Sequence, residues 1–258
     1  MPRAFWLWPN LLSLDAPLVA VLWQILFARC FRVPSDFSAA ALLVAAVWLI
    51  YSADRMLDVR RGAGLRPRHW FYRRHWRVVL AIWGVVFAAA ASTSWWILPR
   101  WLFGRGLLLL AAVAVYFAMV HAAPARLMKG WPKEALVAIL FALGASVAAW
   151  SDFRNRSDLL AVVLFCCLCW INCAAIERWE GREARRPLRI AAAAVGLAAL
   201  LFLYSHRPVL CAAESASAFA FVFLDWRRPR FSPDVLRVLA DAALLSPIFL
   251  LPVAGIAL

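Results

Sequence analysis

Trp48–Arg61 reads WLIYSADRMLDVRR, the end of an apolar run that turns abruptly basic. Within it Asp54 and Asp58 stand four residues apart. On a helix that is about one turn, so both carboxylates share a face and can converge on one cation. Carboxylates at a hydrocarbon boundary are costly, and ionisable groups kept there point to function.

Outward from this stretch, the same alternation of apolar run and basic exit repeats along the chain. Of its 258 residues, 66% are hydrophobic and 16% charged, and the mean hydropathy is +0.77. Such a composition predicts an all-α polytopic membrane protein, a single integral membrane domain over 1–258. At about 17 to 25 apolar residues per span, nine transmembrane helices are expected near 10–29, 37–58, 78–98, 101–123, 134–150, 159–177, 189–204, 208–225 and 235–257. The net charge of +14 would indicate nucleic acid in a soluble protein. Here the cations lie between apolar runs, so they read as topology signals and membrane lipid headgroup contacts, with no nucleic acid expected. Four of the six cysteines crowd one run (Cys166, Cys167, Cys169 and Cys173), a pattern of small buried hydrophobes and neither a disulfide framework nor a zinc site. The N-terminal MPRAFWLWPN resembles a signal peptide only superficially. No small-x-small cleavage site follows and Asp15 and Pro17 interrupt the run, so a retained first span is expected.

Charge asymmetry sets the orientation. With the N-terminus cytoplasmic, 21 of the 28 Lys and Arg residues fall inside, eight of them between 55 and 77. The second and sixth spans then both end at the cytoplasmic face. The second ends in Asp54 and Asp58, the sixth in WINCAAIERWEGRE with Asn172, Glu177 and Glu180. A weak repeat at an offset of 122 places Trp48 on Trp170, Ala53 on Ala175 and Asp58 on Glu180, as in a duplicated bundle.

Carboxylate oxygens suit a hard ion such as Mg2+, which takes few protein ligands and completes its shell with water and phosphate oxygens. Two such helix ends facing one another would hold Mg2+ against a diphosphate, with Arg55 and Arg60 assisting through charge-assisted hydrogen bonds. The alternative is ordinary solvated helix ends, with Asp58 paired to Arg61 or Arg55, and Glu180 to Arg182 or Arg185. Asp54 fits that alternative less well, because it sits a full turn deeper.

The arrangement resembles the UbiA superfamily of intramembrane prenyltransferases, whose nine helices surround a central cavity and carry motifs similar to N-D-x-x-D-x-x-x-D and D-x-x-x-D on the second and sixth helices. Asp54 and Asp58 match the last two acids of the first motif, with Ile50 and Tyr51 where Asn and Asp are expected. In the second, Asn172 fits the leading Asn and Glu180 the final acid. Cys173 and Ile176 replace two acids, with Glu177 as the neighbouring substitute. Leu14–Leu18 is similar to the family's first-helix R-x-D-K-P-I pattern, lacking its basic residues, and PARLMKGWPKE (124–134) looks like its Y-P-x-x-K-R loop, with Lys129 as the lysine. The resemblance implies transfer of a prenyl group, an alkyl group other than methyl, from prenyl diphosphate to an aromatic or lipid-like hydrophobic acceptor. It implies Asp54 and Asp58 as catalytic residues and ligands of a first Mg2+, and Asn172, Glu177 and Glu180 as ligands of a second. Arg55, Lys129 and Arg178 become diphosphate contacts. The expected location is a prokaryotic inner membrane.

Asp15, His121, Glu214 and Asp241 also fall within or beside apolar runs, where bundle-facing positions are expected. Asp15 and Asp241 read as packing residues, and Glu214, beside Ser215 and Ser217, as a neutral hydrogen-bonded carboxyl. Trp95, Trp96, Trp101, Trp150 and Trp226 fit an interfacial belt. Two other functions stay open: a catalytically inactive relative, and a small-molecule transporter using Asp15, Glu214 and Asp241 as proton or ion sites.

Overall fold

The computed structural model describes residues 8–34, 36–60, 67–122, 133–181, 187–203 and 207–254. It is 89% helix, and no strand occurs among the described residues. In chain order the helices are α1 (Trp8–Leu11), α2 (Asp15–Cys30), α3 (Phe37–Arg60), α4 (Pro67–Arg74), α5 (Trp76–Ile97), α6 (Arg100–Ala122), α7 (Lys133–Ser146), α8 (Arg156–Trp179), α9 (Leu188–Leu201), α10 (Pro208–Arg227), α11 (Pro233–Ala243) and α12 (Pro247–Ala254). Among the described residues, seven segments are long and apolar enough to cross a membrane: α3, α5, α6, Lys133–Asp152 (α7 with a 3-10 turn), α8, Pro208–Arg230 and Pro233–Ala254. The other two expected spans correspond to shorter helices, α2 with 16 residues and α9 with 14. The basic segment after α3, expected as a loop, contains α4.

The chain divides into two compact units, residues 1–21 with 36–129 and residues 22–35 with 130–258. In the first, α3 packs on α4 and α5 around Met56, Tyr72 and Val79. Indole donors replace core volume as fasteners: Trp83 Nε1 donates to the Leu49 carbonyl (3.0 Å) and Trp48 Nε1 to that of Leu12 (3.1 Å). Elsewhere α5 and α6 turn outward, with Val78, Val85, Trp95, Leu108 and Val115 exposed, as lipid-facing helices do.

The second unit has a denser core. Trp23 stacks on Phe165 at 4.1 Å, and Phe27 and Phe141 pack on the same ring. α9 meets α10 through buried Ala192, Gly196 and Ala199. A Cβ at Gly196 would lie 3.1 Å from Phe219 Cζ and 3.2 Å from Ala218 Cβ, so a larger residue there would push its neighbours on α10 back by a few tenths of an ångström. α8 starts with a capping box between Asn155 and Asp158. It stops at Gly181, whose φ of +78° glycine adopts without strain. The ninth expected span is broken: α11 ends at Ala243 and α12 begins at Pro247, whose ring disfavours helix in the residue before it. Trp23 Nε1 fills part of the gap by donating to the Leu244 carbonyl (2.8 Å).

Candidate functional site

Each unit brings an acid-bearing helix end together with its own partners. At the end of α3, Asp54 and Asp58 lie in the last two turns. Asp54 is 43% exposed, and its Oδ1 stands 3.1 Å from Nε2 of His121 on α6, itself 10% exposed. With the carboxylate ionised, that bond puts the imidazole proton on Nε2. Nδ1 is then the free lone pair, and it is buried without a hydrogen-bond partner among the described residues. The pair holds Asp54 in one rotamer and leaves its second oxygen outside this bond.

Arg55 does not join Asp54. It is 6% exposed and donates through Nη1 to the Asn10 carbonyl (2.6 Å), with the guanidinium 5.9 Å from the Tyr72 ring centre. That contact gives the Asn10 carbonyl, which also accepts from the Ser13 backbone N–H (3.3 Å), a second donor near the end of α1. Tyr72 is in turn fixed by Ser13, whose Oγ lies 2.8 Å from its hydroxyl. Burial pushes the Tyr72 phenol above its usual value, and the Ser13 bond and Arg55 pull it the other way. A diphosphate contact from Arg55 therefore requires this packing to open. Lys129 and the rest of 123–132 lie outside the described residues.

At the end of α8 the expected residues are all engaged. Glu180 occupies the C-cap, where the negative end of the helix dipole opposes its charge. Arg237 from α11 offsets both, donating through Nη1 to Glu180 Oε1 at 2.8 Å, and Glu180 is only 11% exposed. Asn172 Nδ2 donates to Asp241 Oδ1 (3.1 Å), while its buried Oδ1 lacks a hydrogen-bond partner among the described residues. Arg178 lies 3.7 Å from Asp225, a buried carboxylate near the end of α10 that also accepts from Trp179 Nε1 (3.0 Å) and pairs with Arg189 (3.0 Å). Glu177 is half-buried in the last turn of α8.

The chemistry open to the two sets differs. Asp54 and Asp58, one turn apart with Asp54 accessible, fit the one or two carboxylates that Mg2+ takes beside substrate phosphates. Asn172 Oδ1 is an orphaned oxygen donor, but Glu180 would have to leave Arg237 to act as a ligand. No three His, Cys, Asp or Glu side chains among the described residues gather into a ready metal cluster.

Sequence reading does not supply His121, Asp225 or Arg237 as partners. They stand 67, 46 and 57 residues from Asp54, Trp179 and Glu180, beyond any local spacing rule. A lone His near the end of an apolar run was the one available signal. Asp15 accepts from Asn10 Nδ2 (2.5 Å) and Asp241 bonds Asn172, as packing residues do. All six cysteines are free thiols. No protein-family model, no curated protein and no solved structure matches this chain, so its own geometry carries the functional argument.

Proposed function

We propose that the protein is a UbiA-like intramembrane prenyltransferase, moving a prenyl group from a prenyl diphosphate to an aromatic or lipid-like acceptor with Mg2+ as cofactor. In this reading α2 and α9 complete nine spans around a central cavity. The N-terminus is cytoplasmic in a prokaryotic inner membrane, on the strength of the Lys and Arg distribution. The observation that carries the reading is the acid pair on α3, with Asp54 43% exposed at the end of a 24-residue apolar helix.

Asp54 and Asp58 would hold the ion, which when bound supplies charge that neutralises a diphosphate leaving group. His121 holds Asp54 in a fixed rotamer, so little side-chain freedom is lost on ligation. Arg55, Lys129 and Arg178 are the cations assigned to the diphosphate, Arg55 once it leaves the Asn10 carbonyl. Asn172, Glu177 and Glu180 form the second ligand set, reached when Arg237 releases Glu180.

Membranes containing the protein are expected to transfer a prenyl group from a panel of prenyl diphosphates only with Mg2+ present. Asp54→Ala should abolish both transfer and Mg2+-dependent binding of prenyl diphosphate at unchanged helicity. Binding that ignores Mg2+, or survives Asp54→Ala, would sink the proposal. The Glu180–Arg237 and Arg178–Asp225 pairs favour a second reading, a bundle of the same form that has lost the reaction. It predicts no Mg2+-dependent binding of prenyl diphosphate.

A further inference from the structure

One carboxyl in the second unit takes no part in these networks. Glu214, one-third of the way along α10, is 0% exposed, and neither carboxylate oxygen has a hydrogen-bond partner among the described residues. The adjoining faces of the helix are polar. Ser215 Oγ donates to the Gly196 carbonyl (3.2 Å), Ser217 Oγ lies 2.8 Å from Ser246 Oγ, and Ser246 Oγ reaches the Ala213 carbonyl (2.8 Å). Ser246 belongs to the break between α11 and α12, so the break is seated on the turn of α10 that bears Glu214.

The titratable groups facing Glu214 are thiols: Cys30 at the end of α2 and Cys167 on α8, with Cys211 one turn earlier on α10 itself. Of the charged groups nearby, Arg207 is engaged with Asp158 (3.3 Å) and the Cys30 carbonyl (2.5 Å). None of them neutralises Glu214. An ionised carboxylate enclosed without a counter-charge costs far more than any hydrogen bond recovers, whereas a proton cancels the charge and needs no added space.

We propose that Glu214 is a proton-binding site inside the bundle, loaded in the state described here, and that opening at the Leu244–Ser246 break exchanges this proton with water. The break supplies the moving part. Pro247 and Pro252 both lack backbone donors, and a discontinuous helix beside a buried carboxyl is how membrane proteins place proton and ion sites at depth. The inference is independent of prenyl transfer and gives the chain a proton-coupled step.

Infrared difference spectra of the full chain in liposomes, wild type minus Glu214→Gln, test it. A carboxylic acid C=O band is expected in the wild type, absent from the variant, and shifting when H2O is replaced by D2O. A missing band means an ionised carboxylate and overturns the proposal. A band that never shifts in D2O identifies a sealed packing group and overturns it equally. Should Glu214→Gln fail to fold, Glu214→Asp serves instead, since its acid band is displaced from that of Glu. Pro247→Ala, which restores a backbone donor at the break, is expected to slow the D2O shift severalfold. An unchanged rate overturns the role given to the break.

Discussion

The ends of α3 and α8 start from similar sequence and arrive at opposite electrostatic states. Both helices have 24 residues, and the offset of 122 superposes them to within three positions. At the end of α3, Asp54 stays 43% exposed beside an imidazole, and the adjacent Arg55 turns away to a backbone carbonyl. At the end of α8, Glu180 is closed onto Arg237 and Arg178 is drawn toward Asp225. The surroundings explain the difference. Only 6% of the apolar stretches of α5 and α6 is buried, so the first unit places few groups around Asp54. In the second, 50% of α8 and 56% of Pro208–Arg230 is buried, and an ionised acid there needs a counter-charge to be tolerated.

The largest effect is expected at Asp225, whose side chain is 1% exposed. Asp225→Ala removes the acceptor of the buried Trp179 indole and the carboxylate beside Arg178, while Arg189, 56% exposed, stays solvated, at a cost of about 3 kcal/mol, the lower end for a broken buried pair. Thermal unfolding of the purified protein should show it as a clear loss of stability. Arg237→Ala follows at about 2 kcal/mol, since it removes the 2.8 Å cationic partner that offsets Glu180 at a helix C-terminus. Adding Glu180→Gln should recover most of that loss. If Arg237→Ala unfolds no earlier than wild type, the closed state of α8 is wrong. His121→Ala is expected to cost less than about 1 kcal/mol, because Asp54 remains solvated when its partner goes. A loss matching that of Arg237→Ala would erase the contrast between the two ends.

The all-helical class, seven segments long and apolar enough to cross a membrane and the acids at two helix ends were legible because apolar length and charge punctuation are local properties, while two further expected spans are shorter helices. α4 was missed because HWFYRR at 69–74 is too polar to register as apolar and too short for a periodic signal. The break in the last span was missed although Pro247 marks it, because hydropathy over 235–257 is continuous. Partner choice was not legible at all. As an ordinary helix end Glu180 would pair with Arg182 or Arg185, in a segment outside the described residues; its Oε1 accepts from Arg237, which only tertiary packing brings near. Arg55, expected as a phosphate contact beside Asp54, has a side chain about 100° round the helix from it, as sequence neighbours do. Its direction leads to Asn10 and Tyr72.

A substitution similar in size to His121→Ala tests what holds Arg55 against Asn10 and Tyr72. Tyr72 is buried at the face of Arg55, and its neutral phenol is the form the fold favours. Its folded value lies above the unfolded one of about 10. Its contribution is thus fully present below that pH and lost as pH rises through the folded value. Tyr72→Phe keeps the ring beneath Arg55 and in the Met56–Val79 core. It forfeits the Ser13 bond, at a cost of about 1 kcal/mol. Alkaline unfolding of the wild type should then be steeper than that of Tyr72→Phe, while the two differ little in Mg2+-dependent prenyl diphosphate binding. Equal alkaline limbs would assign the loss to another group. A large change in binding would mean that the hydroxyl and its Ser13 bond hold Arg55 in place, and that the openness of the α3 end depends on one hydrogen bond in α4.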